Sequence, residues 1–313
     1  MKQPAPHVCI SDWQANNEPD GCCMTRPISL YIACAGLAAG ALPATAIAAP
    51  DAAGKTQASP DGLAAATDPS ADQPTDQAAG QPGGLQVELA TGADYSVGHY
   101  GASTDTSVWS IPVDLKVQWQ RLRVQASLPY EFVSGPGQVV GGVVISAPGS
   151  TTTHRSGVGD LVLTGAYAVL REHGALPMVE LSANVKLATA RSDIGTGQTD
   201  YGVSANLYKT LLPHLMAFGS VGYSWLGSPA AYTLQNGVVA SAGLNYRPAP
   251  NQNYGFSFAY RDPVLAGLQG QAIVSPYMTY RFARAWGVTL YAMGGLNSAS
   301  PRVGGGLRLS FYR

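Results

Sequence analysis

Among the residues that could do chemistry, His154 and Ser156 stand out because one residue separates them. A histidine beside a serine could act as general base toward a nucleophile, as in a serine hydrolase, provided that a third group orients the histidine. The pair lies in a loop-like stretch rich in Ser, Thr and Gly, outside any predicted strand. Two polar loop residues are the simpler interpretation, so we expect no catalytic residues and no enzyme.

Metal and dinucleotide sites also find little support in the sequence. The histidines lack the spacing of metal ligands, and GPGQVVGG at 135–142 lacks the strand–helix context of a dinucleotide loop and is read as a flexible loop. We therefore expect no metal and no cofactor. The histidines are His7, His99, His154, His173 and His214, and the cysteines are Cys9, Cys22, Cys23 and Cys34.

The charged side chains of the main body share a spacing of two with apolar neighbours. In 179–187, for example, Glu180 and Lys186 alternate with Val179, Leu181 and Val185. Successive side chains of a strand point to opposite faces, so each segment has one apolar and one charged face. The predicted charged face holds Glu88, Asp94, Asp114, Lys116, Arg123, Glu131, Asp160, Glu180, Lys186, Arg247, Arg261, Arg281 and Arg308.

The elements that must position these charges are strands, because a period of two recurs from Leu85 onward. The connections alternate between tight turns and longer polar loops such as 134–157 and 191–199. The pattern predicts strands at about 85–97, 106–119, 121–133, 158–171, 175–190, 200–211, 214–227, 236–248, 251–262, 270–283, 285–295 and 301–313.

An even number of strands with short turns at one end and long loops at the other is typical of outer-membrane barrels, whose short turns face the periplasm. Only 12 % of residues are charged, against about 25 % in soluble domains. Aromatic residues cluster at strand ends, as interfacial girdles require, whereas a soluble sandwich would place them at mid-strand. We predict an all-β fold, a twelve-stranded antiparallel transmembrane β-barrel with a disordered N-terminal tail, spanning 85–313.

The residues before Leu85 have the character of targeting and linker segments. Arg26, an apolar run and small residues before Ala48 predict a signal peptide at 24–48, with cleavage after Ala48 or Ala46. The acidic residues 1–23 are unlike the start of a signal peptide, so translation is expected to begin at Met24. Residues 49–84 lack aromatic side chains and predict a disordered periplasmic linker. A lipoprotein site at Cys34 is a weaker alternative.

The main body contains a Gly-x-Gly-Asp strand start, a Lys-Leu-x-Thr strand end, a Gly-x-Gly loop and a Gly-Tyr strand. These motifs resemble the MetA-pathway of phenol degradation family of outer-membrane transporters. Ala188 departs from the pattern, since the family usually has proline there. The matching residues are Asp160, Lys186, Thr189, Gly195, Gly197 and Tyr223. The resemblance implies a channel or uptake protein in the outer membrane for aromatic or other small hydrophobic compounds, without established catalytic residues.

Passage of a small solute through the lumen is the leading functional prediction. Its expected partners are outer-membrane lipids, the solute, and the barrel-assembly machinery during insertion. A net charge of -1 argues against nucleic acid. The inward charges could instead fill and stiffen the barrel, and loop 134–157 could reach outward or fold inward. A structural or adhesive surface barrel and a lipase-like hydrolase are the alternative functions.

Overall fold

The computed structural model describes residues 84–100, 103–136, 138–140, 143–145, 153–190, 194–230 and 232–313. This part of the chain contains strands β1 (Leu85–Gly98), β2 (Thr106–Trp119), β3 (Leu122–Gly135), β4 (Gln138–Val140), β5 (Val143–Ile145), β6 (Thr153–Val158), β7 (Leu161–Leu170), β8 (Met178–Leu187), β9 (Asp200–Leu212), β10 (Leu215–Trp225), β11 (Gly237–Ala249), β12 (Gln252–Arg261), β13 (Gln271–Ala283), β14 (Trp286–Gly295) and β15 (Val303–Tyr312).

The strands form one closed antiparallel barrel. Consecutive strands pair along the wall, and β1 closes it by pairing with both β2 and β15. β6 and β7 both pair with β3 and together make one of the twelve staves of the barrel. Closure leaves no free sheet edge, as a spanning sheet requires, because lipid offers no partner for backbone amides. The predicted twelve-stranded antiparallel barrel is confirmed.

The stave formed by β6 and β7 differs from its prediction at 158–171. It begins at Thr153 and is interrupted at Gly159 and Asp160, where the pairing with β3 shifts register by one residue. Gly159 N–H still donates to Pro129 O at 2.9 Å. Such a bulge turns Asp160 inward, and it moves the lumen-facing positions from odd numbers on β6, such as Gly157, to even numbers on β7, such as Ala166. The alternating pattern alone does not reveal an inserted residue.

The two faces of the barrel have opposite polarity. On β2, Leu115 is 43 % exposed while its neighbour Lys116 is 5 % exposed. Adjacent Arg123 and Val124 on β3 differ in the same way, with the arginine buried and the valine exposed. The apolar side chains lie outside and the polar ones inside, the reverse of a soluble domain and the arrangement of a membrane barrel.

Aromatic side chains form contacts on the outer surface at both ends of the wall. Tyr95 and Trp109 lie at the long-loop end with ring centroids 4.8 Å apart. Trp286 and Phe311 lie at the short-turn end with centroids 5.1 Å apart. These positions match the predicted interfacial girdles, in which amphipathic rings lie at the level of lipid headgroups.

The predicted upstream segment 1–23, the signal peptide at 24–48 and residues 49–83 of the predicted tail lie outside the described residues. Among the described residues there is no helix long and apolar enough to cross a membrane.

Candidate functional site inside the barrel

The inner side of the barrel is the candidate functional site, and its charges are grouped rather than scattered. One group, which we call the lysine cluster, centres on Lys186 at the long-loop end of β8. Its Nζ lies 3.1 Å from Asp160 Oδ2 and 3.1 Å from Asp200 Oδ2, and it donates to Thr196 Oγ1 at 3.1 Å. All four residues are buried.

The lysine cluster also holds the loops at the barrel rim. Asp160 Oδ1 accepts Ala190 N–H at 2.8 Å, and Asp200 Oδ1 accepts Gly227 N–H at 2.8 Å. Thr189 Oγ1 accepts Leu161 N–H at 2.8 Å. The motif residues Asp160, Lys186 and Thr189 are therefore brought together, and they bind strand ends to loops. The Lys-Leu-x-Thr spacing therefore has a structural reason: Lys186 and Thr189 both connect the end of β8 to neighbouring strands.

Glu131 on β3 lies beside this cluster without a direct hydrogen-bond partner. It is fully buried, and neither carboxylate oxygen has a partner among the described residues. A carboxyl group in such surroundings gains little by being charged, since desolvation disfavours the ionised form. Glu131 is thus one of the predicted inward charges, but it is sealed from the solvent.

A second buried group lies nearer the short turns. Arg123 donates to Glu180 Oε1 at 2.9 Å, and the side chains of both residues are at most 2 % exposed. Asn206 on β9 donates to Glu180 Oε1 at 3.2 Å and to Ser182 Oγ at 3.1 Å. The network ties β3, β8 and β9 together across the interior.

The remaining inward charges pair around β1, where the barrel closes against β15. Arg308 on β15 donates to Asp94 Oδ1 at 2.6 Å, and its Nε lies 3.6 Å from Asp114 Oδ2. Tyr291 also donates to Asp94 Oδ1, at 2.7 Å. Lys116 lies 2.7 Å from Glu88 Oε2. We call β1–β3 and β7–β9, together with Arg308, the ion-paired wall.

The opposite side, β10–β14, carries arginines that are only half-buried, and we call it the glycine wall. Arg247 donates to Pro250 O at 2.8 Å, and Arg281 donates to Arg284 O at 3.2 Å. The Arg281 guanidinium also lies 4.2 Å from the Tyr312 ring centroid. Arg261 is half-buried at the long-loop end of β12.

Aromatic rings of the glycine wall lie flat over glycines on the neighbouring strand. Phe218 pairs across strands with Gly243, and Tyr277 pairs with Gly255. A Cβ on Gly255 would lie 1.9 Å from Tyr277 Cζ, and one on Gly243 would lie 2.1 Å from Phe218 Cζ. The rings therefore occupy space that any larger residue would take, and they extend along the wall instead of across the lumen.

The loop between β3 and β6 folds inward at its hairpin. β4 pairs with β5, so part of the predicted flexible loop at 135–142 is a strand. Val144 is 1 % exposed and packs with Tyr100, Val108 and Val133. Since Val108 and Val133 belong to the inner faces of β2 and β3, the hairpin covers part of the long-loop mouth. Burial also raises the pKa of Tyr100 to about 12.

The structure places the His154-Arg155-Ser156 triplet in strand β6, not in a loop as predicted. His154 Nδ1 lies 2.9 Å from Ser134 Oγ on β3, at an exposed position. The hydrogen bond of His154 therefore goes to a neighbouring strand rather than to Ser156. Among the described residues, no group of three or more His, Cys, Asp or Glu side chains could hold a metal ion.

Sequence reasoning missed Asp200 and Asn206, which complete the lysine and arginine groups. Both occupy even positions on β9, the same face as Ser204, so their period of two carried the signal. It also missed the flat rings of Phe218 and Tyr277. The signal there was a glycine at the residue directly opposite, which is visible only once the strand register is known.

Comparisons with known proteins agree with this architecture. The family model described as "Putative MetA-pathway of phenol degradation" matches residues 70–313. No curated protein matches the sequence. An outer membrane channel from Pseudomonas putida F1 is 14 % identical, with 77 % of this chain and 100 % of that chain covered and a TM-score of 0.57, and this likeness shows the fold.

Two further solved structures are similar at lower scores. The KdgM porin is 7 % identical, with 72 % of this chain and 98 % of that chain covered and a TM-score of 0.44. The P. putida toluene transporter TodX is 9 % identical, with 73 % and 87 % covered and a TM-score of 0.33. The apolar outer surface, the aromatic girdles and the closed twelve-stave wall make this chain an outer-membrane barrel.

Proposed function

The chain belongs to the MetA-pathway of phenol degradation family, and we propose that it is a narrow outer-membrane channel for small solutes, including aromatic compounds. The observation that carries the proposal is the glycine wall, where rings are folded back against glycines and three arginines stay half-buried. A twelve-stave barrel is wider than the eight staves that side chains can just fill. Flat rings keep that extra width available on one side.

Of the thirteen charges predicted on the inner face, Asp94 pairs with Arg308, and the other twelve, which we predicted to line the lumen, divide into two roles in this proposal. The half-buried Arg247, Arg261 and Arg281 line the path and attract anions. The remaining nine belong to the ion-paired wall and support the barrel, because their charges pair across strands or, for Glu131, lie sealed beside the lysine cluster. These nine are Glu88, Asp114, Lys116, Arg123, Glu131, Asp160, Glu180, Lys186 and Arg308.

The chemistry of the glycine wall suits aromatic solutes. Ile273, Tyr277, Tyr291 and Met293 form an apolar cluster on the inner face of β13 and β14. Ring faces and thioethers give weak, non-directional contacts that favour an aromatic solute without holding it tightly. Toluene transport belongs to the name of one similar structure, and for this chain the aromatic preference is part of the proposal.

The proposal assigns no catalysis to the chain. The channel works in the lipid of the outer membrane, after insertion by the barrel-assembly machinery, and has no nucleic-acid partner. Purified protein is expected to show no phospholipase activity, and His154→Ala is expected to behave as wild type. Phospholipid hydrolysis by the wild type that His154→Ala abolishes would support the hydrolase alternative.

The test is single-channel recording in planar bilayers together with liposome swelling. We expect discrete conductance steps, and faster swelling with phenol or benzoate than with sugars of similar mass. Arg281→Glu should shift the permeability ratio toward cations by about twofold or more. In the proposal Arg281 lines the solute path, so the substitution reverses the electrostatic potential that a passing ion meets. The control is Arg302→Glu, which makes the same charge change at an exposed position on the long-loop rim.

Failure of this test would have a clear meaning. If the folded protein gives no conductance steps and no swelling, transport is wrong and a structural or adhesive barrel is the better interpretation. The packed loops outside the barrel, where Leu234 and Val264 bury against each other, would then be the surface to examine.

A further inference from the structure

The two ends of the barrel differ in charge, and the short-turn end is basic. Arg171 and Arg284 are exposed in turns, and Arg121 is half-buried in the turn after β2. None of the described residues forms an ion pair with these three arginines. Lys209 pairs with Glu172 at 2.9 Å, so the carboxylate that follows Arg171 in the sequence is already neutralised.

The other end has more carboxylates, and its exposed arginine is matched. Arg302 forms a bidentate contact with Asp105, at 2.9 and 3.2 Å. Asp160 and Asp200 are paired with Lys186. The unmatched positive charge of the described wall is therefore concentrated at the short-turn rim, which faces the periplasm.

The chain enters the barrel at this basic rim with an acidic segment. Residues 49–84 hold five aspartates and one lysine, a net charge of -4, and Lys55 lies before the last four aspartates. β1 begins at Leu85, which pairs with Trp119 immediately before the turn that contains Arg121. The segment has no aromatic side chain and one leucine, Leu63, so charge is its main means of contact.

We propose that residues 61–84 dock along the short-turn rim, with Asp61, Asp68, Asp72 and Asp76 against Arg121, Arg171 and Arg284. Leu85 lies fifteen positions after Ser70, and a random-coil chain of that length spans roughly 20–23 Å. This reach covers several staves at about 5 Å each. The docking is independent of transport, since it needs only the barrel and its tail on the same side of the membrane.

The experiment measures distances between two spin labels in the full mature chain, in zwitterionic nanodiscs. The labels are attached through Ser70→Cys in the tail and His173→Cys in the exposed turn between β7 and β8. If the signal peptide is removed as expected, the chain carries no other cysteine. We expect a narrow distance distribution at low salt that broadens in 1 M salt, where the screening length falls to about 3 Å.

Two variants and one control decide the outcome. Replacing the four tail aspartates with Asn, or Arg121, Arg171 and Arg284 with Gln, should give the broad distribution at every salt concentration. Arg302→Gln removes a positive charge from the opposite rim and should leave the narrow distribution intact. Equal widths for wild type and both variants would overturn the proposal. The proposal would also be overturned if the three arginine substitutions broadened the distance distribution only in nanodiscs with anionic lipid, because the arginines would then bind lipid headgroups.

Discussion

The ion-paired wall and the glycine wall are built on the same strand pattern, yet they fill the barrel differently. On the ion-paired wall, Arg123 and Glu180 are almost completely buried and bonded to each other. On the glycine wall, Arg247 and Arg281 are half-buried and donate to backbone carbonyls near the turns. Equal alternation in sequence therefore leads to buried, paired charges on one side and to half-buried arginines near the strand ends on the other.

The difference shows that an inward charge is not by itself a lumen residue. A buried ion pair costs desolvation, and only good geometry with further hydrogen bonds compensates that cost. Asn206 and Thr196 supply such bonds to Glu180 and Lys186. The glycine wall instead depends on residues without side chains, since Gly243 and Gly255 give the rings their space.

The largest expected effect comes from breaking the lysine cluster. Lys186→Met leaves Asp160 and Asp200 buried without their shared cation, and we expect a loss of about 3–5 kcal/mol in the free energy of unfolding. Urea-induced unfolding in lipid vesicles, followed by tryptophan fluorescence, measures it. A loss below about 1 kcal/mol would mean that the cluster is solvated, as surface pairs are.

A matched variant separates lost charge balance from lost packing. Adding Asp160→Asn and Asp200→Asn to Lys186→Met removes the uncompensated carboxylates, so most of the stability should return. If the triple variant is as unstable as Lys186→Met alone, the larger contribution comes from the charge-assisted hydrogen bonds that the ionised aspartates accept from Ala190 and Gly227, since an asparagine oxygen accepts them more weakly.

The strand pattern was predictable because lipid and water impose a strict period of two on the wall. The predicted strand 106–119 coincides with β2, and 271–283 begins one residue after its predicted start. The bulge at Gly159 and the hairpin β4–β5 were not predictable in the same way. The inserted residue reverses the alternation at one point and leaves an unbroken period of two on each side, and each strand of the hairpin has only three residues, so neither feature is apparent from the pattern.

The partners of the inward charges could be predicted only in part. Glu88 and Lys116 lie on adjacent strands and face each other in the register, so the alternation on two neighbouring strands made this pair a natural candidate. Arg123 and Glu180 lie on β3 and β8, with β7 between them, and their contact depends on how side chains cross the interior. Sequence gives the face of a residue, whereas exposure on that face depends on its neighbours.

A smaller effect is expected on the glycine wall from Gly255→Ala. The added Cβ would lie 1.9 Å from Tyr277 Cζ, so the ring must turn away from the wall and into the lumen. We expect single-channel conductance to fall to roughly half, because the free width of a twelve-stave barrel is small. Unchanged conductance in a normally folded variant would place the path elsewhere.

Two further variants make the conductance test specific. Gly165→Ala adds the same methyl group where nothing lies within 4 Å, and it should conduct as wild type. Tyr277→Ala in the Gly255→Ala background removes the displaced ring and should restore conductance. If Gly165→Ala reduces conductance equally, the effect is a general one on the barrel and not on this ring.

The smallest expected effect is on a neutral hydrogen bond of the same wall. Thr279 and Thr289 face each other on β13 and β14 with their Oγ1 atoms 2.9 Å apart. Thr279→Val should lower the free energy of unfolding by about 1 kcal/mol, since it leaves Thr289 without this partner. Adding Thr289→Val should recover most of the loss, because two apolar groups of the same shape need no hydrogen bond. Urea unfolding in vesicles measures both variants, and a loss near that of Lys186→Met would mean that the two walls are equally sensitive to losing a partner.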